Sequence, residues 1–195
     1  MKIEKYTVNL DGNDLVIKVA HLDQSDGQIF KELFDLWKKL NDGLKQYGRM
    51  ATLPEVISEG MFCVFTGSAR YQERVSGKSS VSFDAINTQN NRKEQIKASS
   101  VEEDLTSFSP NSSWDDLYFM DFYNGGKLDG SFNLYQIPDQ YIRSMKVSQQ
   151  QTFRDQQAQG RRPRFSITKD IIKKYDLQPI ATDVRVWHSD NQKPG

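Results

Sequence analysis

The chain has 195 residues, 36 % of them hydrophobic, which suits one domain with a substantial core and requires no second. Its 26 basic and 26 acidic residues cancel, which argues against a protein that coats nucleic acid without regard to sequence and leaves local basic surfaces open. The single cysteine, Cys63, excludes an intrachain disulfide and a cysteine-based zinc cluster. With no charged-then-apolar leader and no apolar run of membrane-spanning length, a cytoplasmic protein with no membrane contact is expected.

Tyr6, Val8 and Leu10, then Leu15, Ile17 and Val19, alternate on either side of Asp11-Gly12-Asn13, predicting a β-hairpin over residues 1–20 that caps or extends a sheet. Ile29, Phe30, Leu33, Leu36, Trp37, Leu40 and Leu44 recur at helical spacing, so a helix capped by Ser25 or Asp26 should run from about Gln28 to Gln46 and stop at Gly48. That stripe reads as a core face, and a dimer interface would carry the same pattern. Thr52-Leu53-Pro54-Glu55 joins a capping threonine, a first-turn proline and an acid at the positive helix end. A second helix to about Ser58 or Phe62 follows, with Glu55 and Glu59 on one face. Phe62–Thr66 then reads as a short buried strand, and Gly67–Lys78 as a polar loop whose Arg70 or Arg74 could touch a phosphate.

From Ser80 to Val101 the chain reads SVSFDAINTQNNRKEQIKASSV. Val81, Phe83 and Ala85 alternate with Ser82, Asp84 and Ile86, and a polar turn from Asn87 to Arg92 leads into Glu94–Ser100, which predicts a second hairpin. Gln95 and Lys97 share one face of its second strand, Ile96 and Ala98 face the core, and Asp84 lies beside them on the partner strand. An acid, a second oxygen ligand and a lysine so placed can hold a hard divalent cation and leave an ammonium for water or phosphate. The plain alternative is an ordinary hairpin with a surface lysine and aspartate. Glu94 in place of Gln95 would need a register slip that turns Lys97 outward.

Downstream, Ser107–Ser113 is a loop or short helix of hydroxyl and amide groups able to bond phosphate oxygens and base edges. Ser99, Ser107 and Asn111 are taken as DNA contacts. Leu117–Phe122 and Ser131–Ile137 read as two aromatic-rich central strands, closed by Pro138 and followed by a short helix from Asp139 to Met145. Between Ser148 and Arg164 periodicity fails and Gln and Arg dominate, which predicts a mobile segment that orders on its target. Arg143–Lys174 holds nine basic residues against Asp155 and Asp170, a net +7, whereas Ser99–Asp121 holds six acids and no Lys or Arg. Arg and Gln fit guanine and adenine edges, so Arg154, Arg161, Arg162 and Arg164 are assigned to DNA, a solvated basic loop being the alternative. A last helix, Thr168–Tyr175, and a strand, Ile180–Trp187, complete the chain.

Asp84, ten intervening residues and Gln95-Ile96-Lys97 resemble the D…(D/E/Q)xK signature of the PD-(D/E)xK nuclease superfamily. The Ala98-Ser99-Ser100 exit, Asp104–Phe119 and Asp129–Pro138 resemble the small type II restriction endonucleases that cut GCNGC. The resemblance spans about Glu55–Pro138. Two features depart from it: Ser82-Phe83 stands where a proline often precedes the aspartate, and Gln95 replaces a carboxylate, leaving the site one negative charge poorer.

The resemblance implies an α/β fold of the restriction-endonuclease kind, one nuclease domain with a mixed sheet of about five strands flanked by helices. Residues 50–138 would form its catalytic core and 139–175 its DNA-recognition segment. It further implies Mg2+ held by Asp84, Gln95 and a helix acid, Glu59 in preference to Glu55, with Lys97 beside the attacking water. The partner is double-stranded DNA cut at a short palindromic or near-palindromic site, and because one site cuts one strand, a homodimer is expected. Two other readings stay open: a repair or structure-specific nuclease of the same superfamily, and a DNA-binding module whose Gln95 marks a decayed site.

Overall fold

The structure, a computed structural model, describes residues 1–10, 12–74 and 82–188; Asp11, Val81 and the Arg74 side chain, all used in the sequence reading, lie outside the described residues. The strands are β1 (Lys2–Leu10), β2 (Asn13–His21), β3 (Ala69–Arg74), β4 (Ala85–Asn87), β5 (Arg92–Ser99), β6 (Thr106–Ser107), β7 (Asp116–Asp121), β8 (Phe132–Ile137), β9 (Arg164–Phe165) and β10 (Ala181–Val184). Among the described residues, eight of them form one sheet in the order β1-β2-β3-β4-β5-β7-β8-β10. The β5–β7 pair is parallel, with Lys97 beside Phe119, and the other neighbours are antiparallel. The class is α/β with a mixed sheet, as expected, but the strand count exceeds the expected five or so. The N-terminal hairpin extends one edge, β10 adds to the other, and residues 69–74, read as loop, lie between β2 and β4. Arg70, Gln72 and Glu73 hide that strand, because its place is set by backbone bonds on both sides and not by an apolar pattern.

Helix α1 (Gln24–Lys45) is capped by Asp23, two or three residues before the expected cap: Asp23 Oδ1 accepts from Ser25 N at 2.8 Å, and Asp26 Oδ2 accepts from Asp23 N at 3.0 Å. Helix α2 (Glu55–Thr66) runs through the stretch expected to be a strand. Met61 to Phe65 is buried throughout, and a short continuous apolar run looks the same in a buried helix as in a buried strand. Gly67, at φ 81°, ends α2 in the left-handed region that favours glycine. Gly60 permits the close approach of α1, since a Cβ there would lie 2.1 Å from the Phe30 ring.

On one face of the sheet, Phe34, Trp37, Ile57 and Phe62 of the helices pack on Ile96, Met120 and Phe132. The other face is covered by Phe108, Trp114, Phe153, Phe165, Ile167 and Ile171 over Leu117 and Phe119. Val8, Leu15, Ile17, Phe83 and Ile86 make a third cluster under the hairpin.

The Gln- and Arg-rich segment carries regular elements. After α3 (Asp139–Arg143), a reciprocal Thr152–Asp155 cap starts α4 (Phe153–Ala158), and β9 then pairs with β6. Phe153 and Phe165 obey no common period, yet both meet Phe108, at ring separations of 5.2 and 5.3 Å. Thr168–Lys173 is a π-helical turn within the predicted last helix. No described helix is long and apolar enough to cross a membrane.

Phe153→Ala should cost about 3–5 kcal/mol in urea unfolding, because Phe153 is fully buried and anchors the segment on Phe108. Glu94, one residue before Gln95, is buried on the face that carries Ile96, and burial pushes its carboxyl up to about 7. A folded pKa above the unfolded value means that the neutral form stabilises the fold below about pH 4.5 and that this contribution is lost as pH rises through about 7. Glu94→Gln should therefore gain stability over wild type as pH rises from 4.5 to 8, read from paired denaturant melts; a difference independent of pH would refute the buried position.

Candidate active site

The paired ladder between β4 and β5 starts at Ala85 and Glu94, and Asp84 stands one step beyond it, opposite Gln95. Its backbone is held on both sides, by Asp84 N to Glu94 O and Tyr71 N to Asp84 O, each 2.9 Å. The carboxylate turns back to the sheet, where Oδ2 accepts from Ile96 N at 2.8 Å and from the Gln95 side-chain amide. Asp84 and Gln95 are thus in direct contact. Lys97 lies one pleat further on the same face, its Nζ 5.5 Å from the centre of the Phe108 ring.

Lys97 also lines a cleft of about 220 Å³ with Glu55, Ser58 and Glu59 of α2, Ser99, Thr106 and Ser107. Glu59 accepts from Arg70 Nε at 2.8 Å and Nη2 at 2.6 Å. Arg70, expected as a phosphate contact in a loop, is instead bound to an acid. The reason is its place on β3, which runs beside β4 and under α2. No feature of the local sequence announces this pair, because Glu59 sits on a helix and Arg70 on a strand read as loop.

Burial pushes Asp84 up to about 6, against the pull of the Ile96 N–H and the Lys97 charge. Burial and the negative charge of Asp84 push Glu59 up to about 7, against the pull of Arg70. Two enclosed carboxylates that each resist ionisation, and of which one raises the other, suit a divalent cation, which offsets desolvation and repulsion together. Among the described residues no three His, Cys, Asp or Glu side chains gather into a metal cage. Asp84 and Glu59 offer carboxylate oxygens and Gln95 an amide to such an ion. Gln95 directs its Nε2 at Asp84, and turning the amide over presents the oxygen with little change of shape.

Of the residues assigned to DNA, Ser99 and Ser107 line this cleft. Ser99 lines the cleft but is buried, and its Oγ is engaged with Val101, donating to the carbonyl at 2.7 Å and accepting from N at 3.2 Å. Ser107 lines the cleft too, with an enclosed Oγ that has no hydrogen-bond partner among the described residues. Asn111 and Arg154 are exposed, as are Arg161, Arg162 and Arg164. Arg161 Nη1 donates to Gln151 Oε1 at 3.0 Å. Arg164 stands opposite Ser107 in the β6–β9 pair, so the basic segment reaches the rim of the cleft.

The family model for the Bsp6I restriction endonuclease matches residues 22–174. The type II restriction enzyme Bsp6I of Bacillus sp. (strain RFL6) is 35 % identical over 163 residues, covering 82 % of this chain and 88 % of that protein. No solved structure matches the chain. The matched span holds α1, both α2 acids, Asp84, Gln95, Lys97 and the basic segment. The chain belongs to the Bsp6I restriction endonuclease family and is a type II, site-specific deoxyribonuclease.

Proposed function

We propose that this deoxyribonuclease hydrolyses both strands of DNA at a short palindromic or near-palindromic site, GCNGC being the site implied by the sequence resemblance, with Mg2+ bound at Asp84, Gln95 and Glu59. The observation that supports the site is the meeting of Asp84, Gln95 and Lys97 on one face of the β4–β5 hairpin, with Glu59 lining the same cleft as Lys97. A bound Mg2+ would supply Lewis-acid polarisation of the scissile phosphate and neutralise its charge. Asp84 and Glu59 would hold the cation as carboxylates, giving up their protons as it binds, and the Ile96 N–H keeps Asp84 aimed. Lys97, as an ammonium, orients the attacking water through its N–H groups and offsets the charge that grows on the phosphoryl oxygens, the water's proton passing to solvent. Phe108 forms one wall against Lys97 and limits the water around its Nζ. One such site cuts one strand, so a two-fold homodimer completes the reaction.

Incubation of plasmid DNA with the protein and Mg2+ tests this reading: discrete fragments ending at one sequence support it, and smears or structure-dependent nicks overturn it. Asp84→Asn keeps an acceptor for the Ile96 N–H, whereas Asp84→Ala leaves that donor bare at about 1–3 kcal/mol of stability. Asp84→Asn and Lys97→Ala should each slow cleavage by about 10²–10³-fold or more while binding to cognate DNA in Ca2+ persists. Near wild-type cleavage by either variant would refute the assignment.

Arg161, Arg162 and Arg164 separate into readers and clamps. A bidentate contact to guanine should cost roughly 1–3 kcal/mol on the cognate site alone when removed, whereas a phosphate contact should weaken all DNA and lower the salt slope by about one. At least one of the three, Arg164 first because it adjoins Ser107, should behave as a reader. Alanine variants measured on cognate and scrambled duplexes across a salt series decide it, and three variants indistinguishable from wild type would move recognition to Ser107–Ser113.

A further inference from the structure

Helix α1 has 22 residues, a length of about 33 Å at 1.5 Å per residue. Phe34, Trp37 and Asn41 turn toward the core. A second apolar stripe does not: Ile29, Leu33, Leu36 and Leu40 are 54, 40, 64 and 55 % exposed. At about 100° per residue these four fall within an arc of about 60°, roughly 100° round from the core-facing residues. Their spacing is that of the a and d positions of a heptad. A contiguous apolar seam left on the surface of a folded chain calls for a partner.

We infer that this seam is the two-fold interface through which two copies of the chain pair, α1 against α1 in antiparallel orientation. The inference rests on the proposed reading, which requires two active sites per cut. The charges beside the seam select both occupant and direction. Glu32 and Lys39 lie one position before Leu33 and Leu40, on the edge away from the core, and both are exposed. An antiparallel pairing that sets Leu33 against the partner's Leu36, and Ile29 against the partner's Leu40, brings Glu32 beside the partner's Lys39 and Lys39 beside the partner's Glu32. Symmetry makes the ion pair twice. A parallel pairing would set Glu32 and Lys39 against the positions of Trp37 and Leu44, where no charge is available.

The residues outside the described set are a poor complement: 75–81 read VSGKSSV and 189–195 read SDNQKPG, with no leucine, isoleucine, methionine or aromatic side chain. The placement also serves the site. Gly60 of α2 packs against Phe30 of α1, and the acids of α2 border the cleft, so pairing through α1 fixes the separation of two clefts.

Sedimentation equilibrium and light scattering on the full chain test the inference without reference to activity. Wild type should behave as twice 22.5 kDa. Leu33→Glu with Leu36→Glu should be monomeric, with the far-ultraviolet dichroism of wild type. Lys39→Glu alone should raise the dimer dissociation constant by about tenfold, since two attractive contacts become repulsive, and adding Glu32→Lys should restore it to within about threefold. A monomeric wild type, a Leu33→Glu/Leu36→Glu chain that stays dimeric, or a double charge reversal that restores nothing would each overturn the inference. Plasmid cleavage read in parallel keeps the two questions apart. A dimer through α1 that leaves DNA intact defeats the proposed function and not the interface, and clean double-strand cutting by a protein with another interface defeats only the interface.

Discussion

The bond from the Ile96 amide to the Asp84 carboxylate is the point on which fold and chemistry both turn. The backbone bond from Asp84 N to Glu94 O is the last between these two segments, and the Ile96 N–H of the central strand would be left without an acceptor in a buried place. Asp84 supplies one from its side chain. The same bond pins a carboxylate beside Gln95 and at one pleat from Lys97. Completing the ladder from a side chain confines the carboxyl to a buried position, and its raised pKa of about 6 is the electrostatic result.

The neighbourhood compensates for that burial with charges drawn from other elements. Arg70 from β3 holds Glu59 of α2 by two short bonds, and Lys97 from β5 acts on Asp84 through space. The two acids nonetheless remain hard to ionise, because desolvation outweighs the cations that face them. Such a site is poised to take up positive charge. The rim around it is built differently: Arg164 stands opposite Ser107 in a two-residue β-pair, Arg161 bonds the neutral Gln151 side chain, and Arg161, Arg162 and Arg164 all stay exposed. Rigid acids below and available cations above match the division of labour in an enzyme that must cleave one phosphate while holding many.

Much of this arrangement is legible in the order of residues. The N-terminal hairpin, α1, the hairpin that carries Asp84 and Lys97, and the strands around Phe119 and Leu134 follow from local period and turn chemistry, which act over a few residues and are written there. Alternation alone sets Gln95 and Lys97 on one face and Ile96 on the other. Where local signals were ambiguous the reading failed in a consistent way. Phe62–Thr66 has the apolar run of a strand but continues α2, and Ala69–Arg74 has the polarity of a loop but is a strand held by two neighbours. The segment from Ser148 to Arg164 lacks periodicity, yet Phe153 and Phe165 anchor it on Phe108.

The sequence by itself determined the chemistry of the site: an aspartate, an amide and a lysine at a spacing that one hairpin converts into neighbours, together with a basic segment far along the chain. Only the tertiary structure decided which side chains from distant elements meet near them. Glu59 meets Arg70, and Arg164 meets Ser107, through the packing of α2 on the sheet and the pairing of β9 with β6, and these partners share no local period. The exposed seam of α1 was equally a matter of assembly, since its apolar residues and those of the core lie on one helix, and only the position of the sheet settles which stripe is covered. Local preference specifies elements because it depends on adjacent residues; contact between elements depends on how whole faces fit, and a face is completed by residues that the chain brings from afar.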